Sequence, residues 1–306
     1  MAGSLRWAAH RCGHDGHMAI VSGLAPLLYQ QPPERGRVVL LYQPAEETGE
    51  GARRVLDDPR FAEIRPDFGV GLHNLPGHVE DTIVVRAGTF SCASVGMIIE
   101  LIGSAAHAAE PEQARSPASA LAALLAELPQ LSGGEGADFR LCTITHAHLG
   151  ERSFGATPER AVLGATLRAH TDETLEALRT RAQIMAARYA KRDGLEVEVN
   201  FIEAFPATRN DPLLVDLLRA SARGAGCEVL DADNPFRWSE DFGHFARAFP
   251  CVYFGLGIGV DAPRLHQPDY SFRDETILPG VRVLHRLVHT IAREGERAQQ
   301  LAASAG

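Results

Sequence analysis

The middle of the chain carries apolar patterns whose order restricts the fold more than any other feature of the sequence. Four strand-like runs and two helix-like stretches follow one another at 94–103, 116–131, 138–150, 159–170, 172–194 and 195–204. Their order, β-α-β-β-α-β with the helices at 116–131 and 172–194, is that of the ferredoxin-like split βαβ unit. Because this unit is self-contained, we predict that 91–205 forms a domain inserted into another one.

The sequence on both sides of the insert has the pattern of an α/β sheet. Short continuous apolar runs of the kind buried in parallel sheets occur at 37–43, 68–74 and 251–257. Helix-like stretches lie between and after them, so we predict an α/β fold in which 1–90 and 206–306 form one discontinuous domain. In such sheets, ligands bind beyond the carboxyl ends of the strands.

The first candidate site residues lie in the segment RCGHDGHMAI, at 11–20. Cys12 and His14 are two positions apart, so in an extended turn their side chains project the same way and could hold one metal or bridge two. A free cysteine near the start of the chain is the first alternative. A cysteine nucleophile beside a histidine is the second.

Glu46 and Glu47 follow the apolar run at 37–43 directly. Adjacent carboxylates point in different directions, so one can bind a metal while the other acts as a general base toward water. The alternative is an acidic cluster that stabilises the amino terminus of the helix predicted after it.

Three histidines complete the candidate set. His73 ends the run at 68–74, where a structural role is as common as a functional one. His266 lies in the proline-containing loop LHQPDY, and His107 follows the first strand of the insert. Taken together, one thiolate, several imidazoles and a carboxylate are enough for two metals that share a bridging ligand.

The composition excludes several classes of protein. The 306 residues carry a net charge of −9 and no runs of Lys or Arg, a poor match to nucleic acid or an anionic membrane. The five cysteines are scattered and odd in number, unlike a disulfide framework. No apolar run approaches the roughly 20 residues that span a bilayer. We therefore expect a cytoplasmic protein.

These motifs, in this order, resemble those of the M20 family of metallopeptidases. The amidohydrolase subgroup is indicated, which includes hippurate hydrolases, N-acyl-amino-acid amidohydrolases and auxin-conjugate hydrolases. The resemblance rests on HRCGHDGHMA (10–19), YQPAEETGEGA (42–52), GLHNLPG (71–77), GSAAHAAEP (103–111), WSEDFGHFA (238–246) and LHQPDYSFRDE (265–275).

The resemblance implies a catalytic α/β domain with an inserted lid or dimerisation domain, and a homodimer formed through the insert. It implies two divalent ions per subunit, manganese or zinc, held by Cys12, His14, Glu47, His73 and His266. It further implies that Glu46 is the general base and that His107 contacts substrate or the developing oxyanion. The expected reaction is metal-assisted hydrolysis of an N-acyl-amino acid or a related amide.

The chain also departs from the family pattern. Members usually carry a long segment before CGHDGH, including a stretch resembling RADMDALP, so we expect a fragment, a misassigned start or a natural paralogue. Phe154 and Gly155 stand where many relatives have Asn-Val, whereas Arg168 fits the family's strand-end arginine. Two hypotheses follow: an active amidohydrolase, favoured because every matched ligand is present, or a catalytically weak metal-binding or dimerising paralogue.

Overall fold

The structure, a computed structural model, describes residues 11–304 and the side chains of residues 11–294. His10, with which the first family-like segment begins, lies outside the described residues, as does the rest of 1–10. The helices are α1 (His14–Gln30), α2 (Gly51–Asp57), α3 (Phe61–Ile64), α4 (Ala118–Glu127), α5 (Asp172–Arg192), α6 (Pro212–Gly224), α7 (Gly243–Ala248) and α8 (Ile277–Ser304). The strands are β1 (Gly69–Leu75), β2 (Ile83–Val85), β3 (Gly88–Ser91), β4 (Ala93–Ile102), β5 (Arg140–Leu149), β6 (Arg160–Ala169), β7 (Glu196–Phe205), β8 (Thr208–Asn210), β9 (Val229–Asp231) and β10 (Cys251–Gly257).

The first sheet has the strand order β1-β10-β2-β9. β1 runs parallel to β10, with Gly69 opposite Cys251 and Leu75 opposite Gly257. All seven residues of β10 are buried, as expected for a strand covered on both faces. Helices α1, α6 and α8 contribute Ile20, Leu218 and Leu287 to the core of this sheet. The carboxyl ends of β1 and β10 therefore lie side by side.

The second sheet has the order β5-β6-β4-β7, and every neighbouring pair is antiparallel. Helices α4 and α5 supply Leu124 and Leu178 to a core separate from that of the first sheet. The chain order from β4 to β7 is β-α-β-β-α-β. Short strands β3 and β8, which precede and follow this unit, pair with each other. The mixed α/β fold class predicted from the sequence is confirmed.

Most predicted elements are present with shifts of a few residues, but four local predictions were wrong. The run at 37–43 is not a strand: Val39, Leu41 and Tyr42 are 40–48% exposed, and β1, the outermost strand, pairs only with β10 within residues 11–304. An apolar run becomes a strand only where another strand pairs with its backbone. The segment SEDFGHFARA at 239–248, which the sequence also predicts to be a helix, is helical only from Gly243.

The other two corrections concern helix starts. The sequence offers Asp15 as the cap of the first helix, but α1 begins at His14 and Gly13 occupies the capping position. The sequence also predicts that Pro279 interrupts the last helix early, but α8 begins at Ile277 and so places this proline in its first turn. Within the part of the chain that the structure describes, no helix has both the length and the apolar character needed to cross a membrane.

Candidate metal centre

Five predicted ligands come together from four separate segments. Cys12 and His14 flank Gly13 at the start of α1, and His73 lies in β1 near its carboxyl end. Glu47 lies in a 3-10 turn at Glu46–Thr48, and His266 comes from the loop after β10. The topology brings these segments together because β1 and β10 are parallel neighbours.

Cys12 lies at the centre of this cluster. Its Sγ is 3.4 Å from Nε2 of His73 and 3.3 Å from Nε2 of His266. His14 Nε2 is 3.9 Å from Oε1 of Glu47, and His266 Nε2 is 3.7 Å from the same oxygen. Ligand atoms lie within 4.8 Å of one another in three sets: Cys12, His14 and His73; Cys12, Glu47 and His266; and His14, Glu46 and Glu47.

His73 is oriented for metal binding by its own backbone neighbour. Its Nδ1 lies 2.8 Å from the carbonyl oxygen of Asn74, which can only accept a hydrogen bond. The proton is therefore on Nδ1, and the lone pair of Nε2 faces Cys12. Burial lowers the pKa of His73 to about 4, so the ring is neutral near pH 7.

The Cys12 thiol lies in surroundings that favour a cation. Burial, followed by the negative charges of Glu47 and Glu240, raises the pKa of Cys12 far above its ordinary value. Without a cation this side chain is therefore a protonated thiol, and a bound metal ion would reverse that preference. A thiol, three imidazoles and carboxylates at these separations fit a pair of divalent transition metals or zinc.

The two adjacent glutamates differ in their surroundings. The Glu46 side chain is 19% exposed and that of Glu47 is 54% exposed. Burial, with the nearby charges of Asp241 and Glu47, raises the pKa of Glu46 to about 7. Oε2 of Glu46 is 3.5 Å from Nε2 of His14. The geometry thus separates a buried carboxyl group with a raised pKa from a more exposed one.

Two buried carboxyl groups, Glu240 and Asp241, were missed as site residues. Glu240 Oε1 is 3.6 Å from Nε2 of His73, and burial next to Glu46 raises the pKa of Glu240 well above its usual range. Asp241 accepts hydrogen bonds from the Gln43 side chain (2.6 and 2.8 Å) and from the backbone N–H of Ala52 (2.8 Å). Asp241 therefore holds both ends of the loop that carries Glu46 and Glu47.

His17 was also missed, although it lies three residues after His14 on α1. The ring centroids of His17 and His73 are 4.5 Å apart, and Nε2 of His17 lies 2.6 Å from Oδ1 and 3.0 Å from the backbone nitrogen of Asn74. Burial lowers the pKa of His17 well below its usual value, so the ring is neutral. The i, i+3 spacing of His14 and His17 places them on one helix face and was the available sequence signal.

The backbone is constrained at several points around the cluster. Gly13 has φ 85°, and a Cβ there would lie 2.4 Å from the Tyr270 hydroxyl. Ala45 and His266 have φ 58° and 65°, in the left-handed region that residues other than glycine rarely adopt. Strain of this kind costs of order 1–3 kcal/mol per residue and is concentrated at functional sites.

His107 is not part of the cluster. It is exposed on a loop after β4, forms an isolated bridge with Ala156, and accepts a hydrogen bond at Nδ1 from the backbone N–H of Ala109. Arg168, at the end of β6, contacts the segment between β9 and α7 instead. Its Nη1 donates to the carbonyl oxygen of Arg237 (3.1 Å) and to Oγ of Ser239 (2.9 Å), next to Glu240.

Two sheets with separate cores, and thiol, imidazole and carboxyl groups gathered at strand ends, are typical of metal-dependent hydrolases. A family model described as peptidase family M20/M25/M40 matches residues 8–290. The chain belongs to this family and is a hydrolytic, amide-cleaving enzyme.

Individual relatives agree with this placement. The chain is 27% identical to an N-acetyldiaminopimelate deacetylase of Lacticaseibacillus casei, over 92% of this chain and 74% of that protein. It is 28% identical to a hippurate hydrolase of Campylobacter jejuni, over 88% and 70%. A solved Bacillus subtilis structure, described as a dinuclear metal-binding peptidase of the M20 family, is similar in fold with a TM-score of 0.79 at 23% identity, over 95% and 75% of the two chains.

Proposed function

We propose that this protein hydrolyses the amide bond of N-acyl-amino acids or closely related small conjugates, using two divalent ions. The observation that carries the proposal is the convergence of Cys12, His14, Glu47, His73 and His266 into overlapping ligand sets. The names of the two relatives above, an N-acetyldiaminopimelate deacetylase and a hippurate hydrolase, support an N-acylated amino compound as substrate.

The overlap of the sets suggests how the ligands are shared. Cys12, Glu47 and His266 would hold one ion, whereas Cys12, His14 and His73 would hold the other. Cys12 belongs to both sets, so its sulfur would be the shared ligand. Manganese and zinc are the proposed ions, because the set combines a soft thiolate with imidazole and carboxylate groups.

The bound ions would polarise the substrate carbonyl and make water acidic enough to attack it. Glu46 accepts the proton of the attacking water, whose oxygen forms a bond to the carbonyl carbon. Glu46 then passes that proton to the amide nitrogen as the C–N bond breaks, and the amine leaves neutral. A carboxyl group with a pKa raised to about 7 suits both the accepting and the donating step.

We further propose a homodimer in which the loop after β4 of one subunit places His107 at the metal centre of the other. β5 is an outermost strand of its sheet, and residues 145–149 are exposed along it, which leaves an edge that another subunit could cover. Mixing His107→Ala with Glu46→Gln protein tests this arrangement. Mixed dimers regain activity if His107 acts across the interface, whereas they stay inactive if it acts within its own chain.

The absence of disulfide bonds among the five cysteines fits a reducing compartment, and we propose the cytoplasm. All five are unpaired in the structure, and four of them are buried. Burial raises the pKa of each buried cysteine, so these thiols are protonated and unreactive.

The experiment that tests the proposed function is a hydrolysis assay on the purified chain with hippurate and N-acetyl-amino acids. We expect turnover that depends on Mn²⁺ or Zn²⁺ and is lost in the presence of a chelator. A chain that binds no metal and cleaves no amide would contradict the proposal and favour the weak-paralogue hypothesis. Loss of turnover on thiol alkylation, with none on chelation, would instead indicate that Cys12 is a nucleophile.

A further inference from the structure

A second pair of potential metal ligands lies on α8, separate from the candidate metal centre. Nε2 of His285 and Nε2 of His289 are 3.3 Å apart, and their ring centroids are 4.6 Å apart at an interplanar angle of 66°. Both side chains are half-buried. The two residues are four positions apart, so they lie one above the other on the same helix face.

The distance between the two nitrogens suits a tetrahedral ion. Two nitrogens that each lie about 2.0–2.1 Å from zinc, at a tetrahedral angle, are separated by about 3.3–3.4 Å. A right angle, as in square-planar copper sites, would bring them to about 2.9 Å. Without an ion, the same 3.3 Å contact is a hydrogen bond in which one Nε2–H donates to the other Nε2, and a bound ion would take the place of that proton.

The surroundings of the pair keep its nitrogens available. Burial, followed by the proximity of His289 and Arg286, lowers the pKa of His285, so the ring stays neutral near pH 7. The Arg286 guanidinium does not block the pair, because it packs beside Gly224 on α6. A neutral imidazole nitrogen carries a lone pair, so Nε2 of His285 can bind a cation next to Nε2 of His289.

We propose that His285 and His289 form a peripheral zinc site, with water completing the coordination. Two protein ligands leave the remaining positions open, so this zinc exchanges more readily than a four-ligand structural ion. Binding joins two successive turns of α8 and so stabilises the helix that packs against both α1 and α6. The proposal does not depend on the proposed hydrolytic function.

The test compares the number of zinc ions bound by the wild-type protein and by single variants. Equilibrium dialysis at rising Zn²⁺ concentration should show one more bound ion in the wild type than in His285→Ala or His289→Ala. His148→Ala, which removes an exposed histidine from β5, is the matched control and should keep the extra ion. All four proteins should hydrolyse substrate at the same rate at low zinc concentration.

Thermal unfolding gives a second measurement. Zinc added beyond the amount that fills the metal centre should raise the melting temperature of the wild type and of His148→Ala. It should not raise the melting temperature of His285→Gln or His289→Gln. The glutamine variants keep a polar side chain of similar reach in case an alanine variant folds poorly. Equal zinc counts in all variants, or an equal loss in His148→Ala, would overturn the proposal.

Discussion

Nε2 of His266 lies 3.3 Å from Sγ of Cys12, although 254 positions separate the two residues in the chain. The backbone holds them together, because the N–H of His266 donates to the carbonyl oxygen of Arg11 (2.7 Å). The loop after β10 is thereby fixed against the turn before α1. This contact holds His266 at its strained φ, so the backbone fixes the position of the proposed ligand.

Replacing Cys12 by serine should weaken metal binding and change the number of protons that binding releases. The raised pKa of the Cys12 thiol means that metal binding must release its proton. Calorimetric titrations in buffers of different ionisation enthalpy should show this release in the wild type and one proton less in Cys12→Ser. Cys227→Ser, a change at a buried cysteine outside the cluster, is the control and should bind metal normally. Unchanged metal content in Cys12→Ser would remove Cys12 from the ligand set.

Replacing Glu46 by glutamine should abolish turnover without removing metal. The amide has nearly the same shape but cannot accept the proton of water, and the loss of a general base typically costs about 10²–10⁴-fold in rate. Metal content by elemental analysis and steady-state kinetics measure the two effects. Glu50→Gln, a change at an exposed residue paired with Arg54, should leave both unchanged. Near-normal turnover in Glu46→Gln would show that another group accepts the proton.

The metal-free protein should lose stability through Glu46 as the pH rises. The pKa of this carboxyl is about 7 in the folded chain, against about 4.3 in an unfolded one. Its contribution to stability is therefore fully present below about pH 4.3 and is lost as the pH rises through about 7. Glutamine does not titrate. The stability of Glu46→Gln relative to the wild type should therefore rise between about pH 4.3 and pH 7, and the difference should stay constant at higher pH. Denaturant unfolding from pH 4.5 to 8 in the presence of chelator measures the difference, and a difference that is constant with pH would refute the assignment.

Replacing Arg168 by alanine should weaken the contact between β6 and the segment that joins β9 to α7. Its guanidinium donates to the carbonyl oxygen of Arg237 and to Oγ of Ser239, and hydrogen bonds from charged groups contribute about 1.5–3 kcal/mol each. We expect a loss of that order in the free energy of unfolding, with a lower kcat/KM because Glu240 follows this segment. Arg53→Ala disrupts an exposed ion pair with Asp57 and should cost at most about 1 kcal/mol. Equal effects of the two changes would argue against a special role for Arg168.

The apolar pattern predicted most of the fold because burial determines strand and helix periodicity. β10 begins and ends where its apolar run does, and β1 is displaced by one residue. The run at 37–43 shows the limit of this reasoning, since pairing depends on a neighbouring strand that local sequence does not encode. The β3–β8 pairing likewise depends on contacts between residues more than a hundred positions apart.

The candidate ligands could be proposed from motifs, but their supporting residues could not. Glu240 and Asp241 lie in a stretch that reads as an amphipathic helix, whereas the helix starts only at Gly243. Their roles follow from contacts with His73 and Gln43, each more than 160 positions away. Such residues become visible only when the tertiary structure brings buried carboxyl groups next to ligands.

The most direct test of the central claim is anomalous diffraction from crystals of the protein grown with zinc and measured at the zinc absorption edge. The account predicts two anomalous peaks beside Cys12, one of them next to Glu47 and His266 and the other next to His14 and His73, with the sulfur of Cys12 in contact with both. A single peak, or peaks away from Cys12, would contradict it.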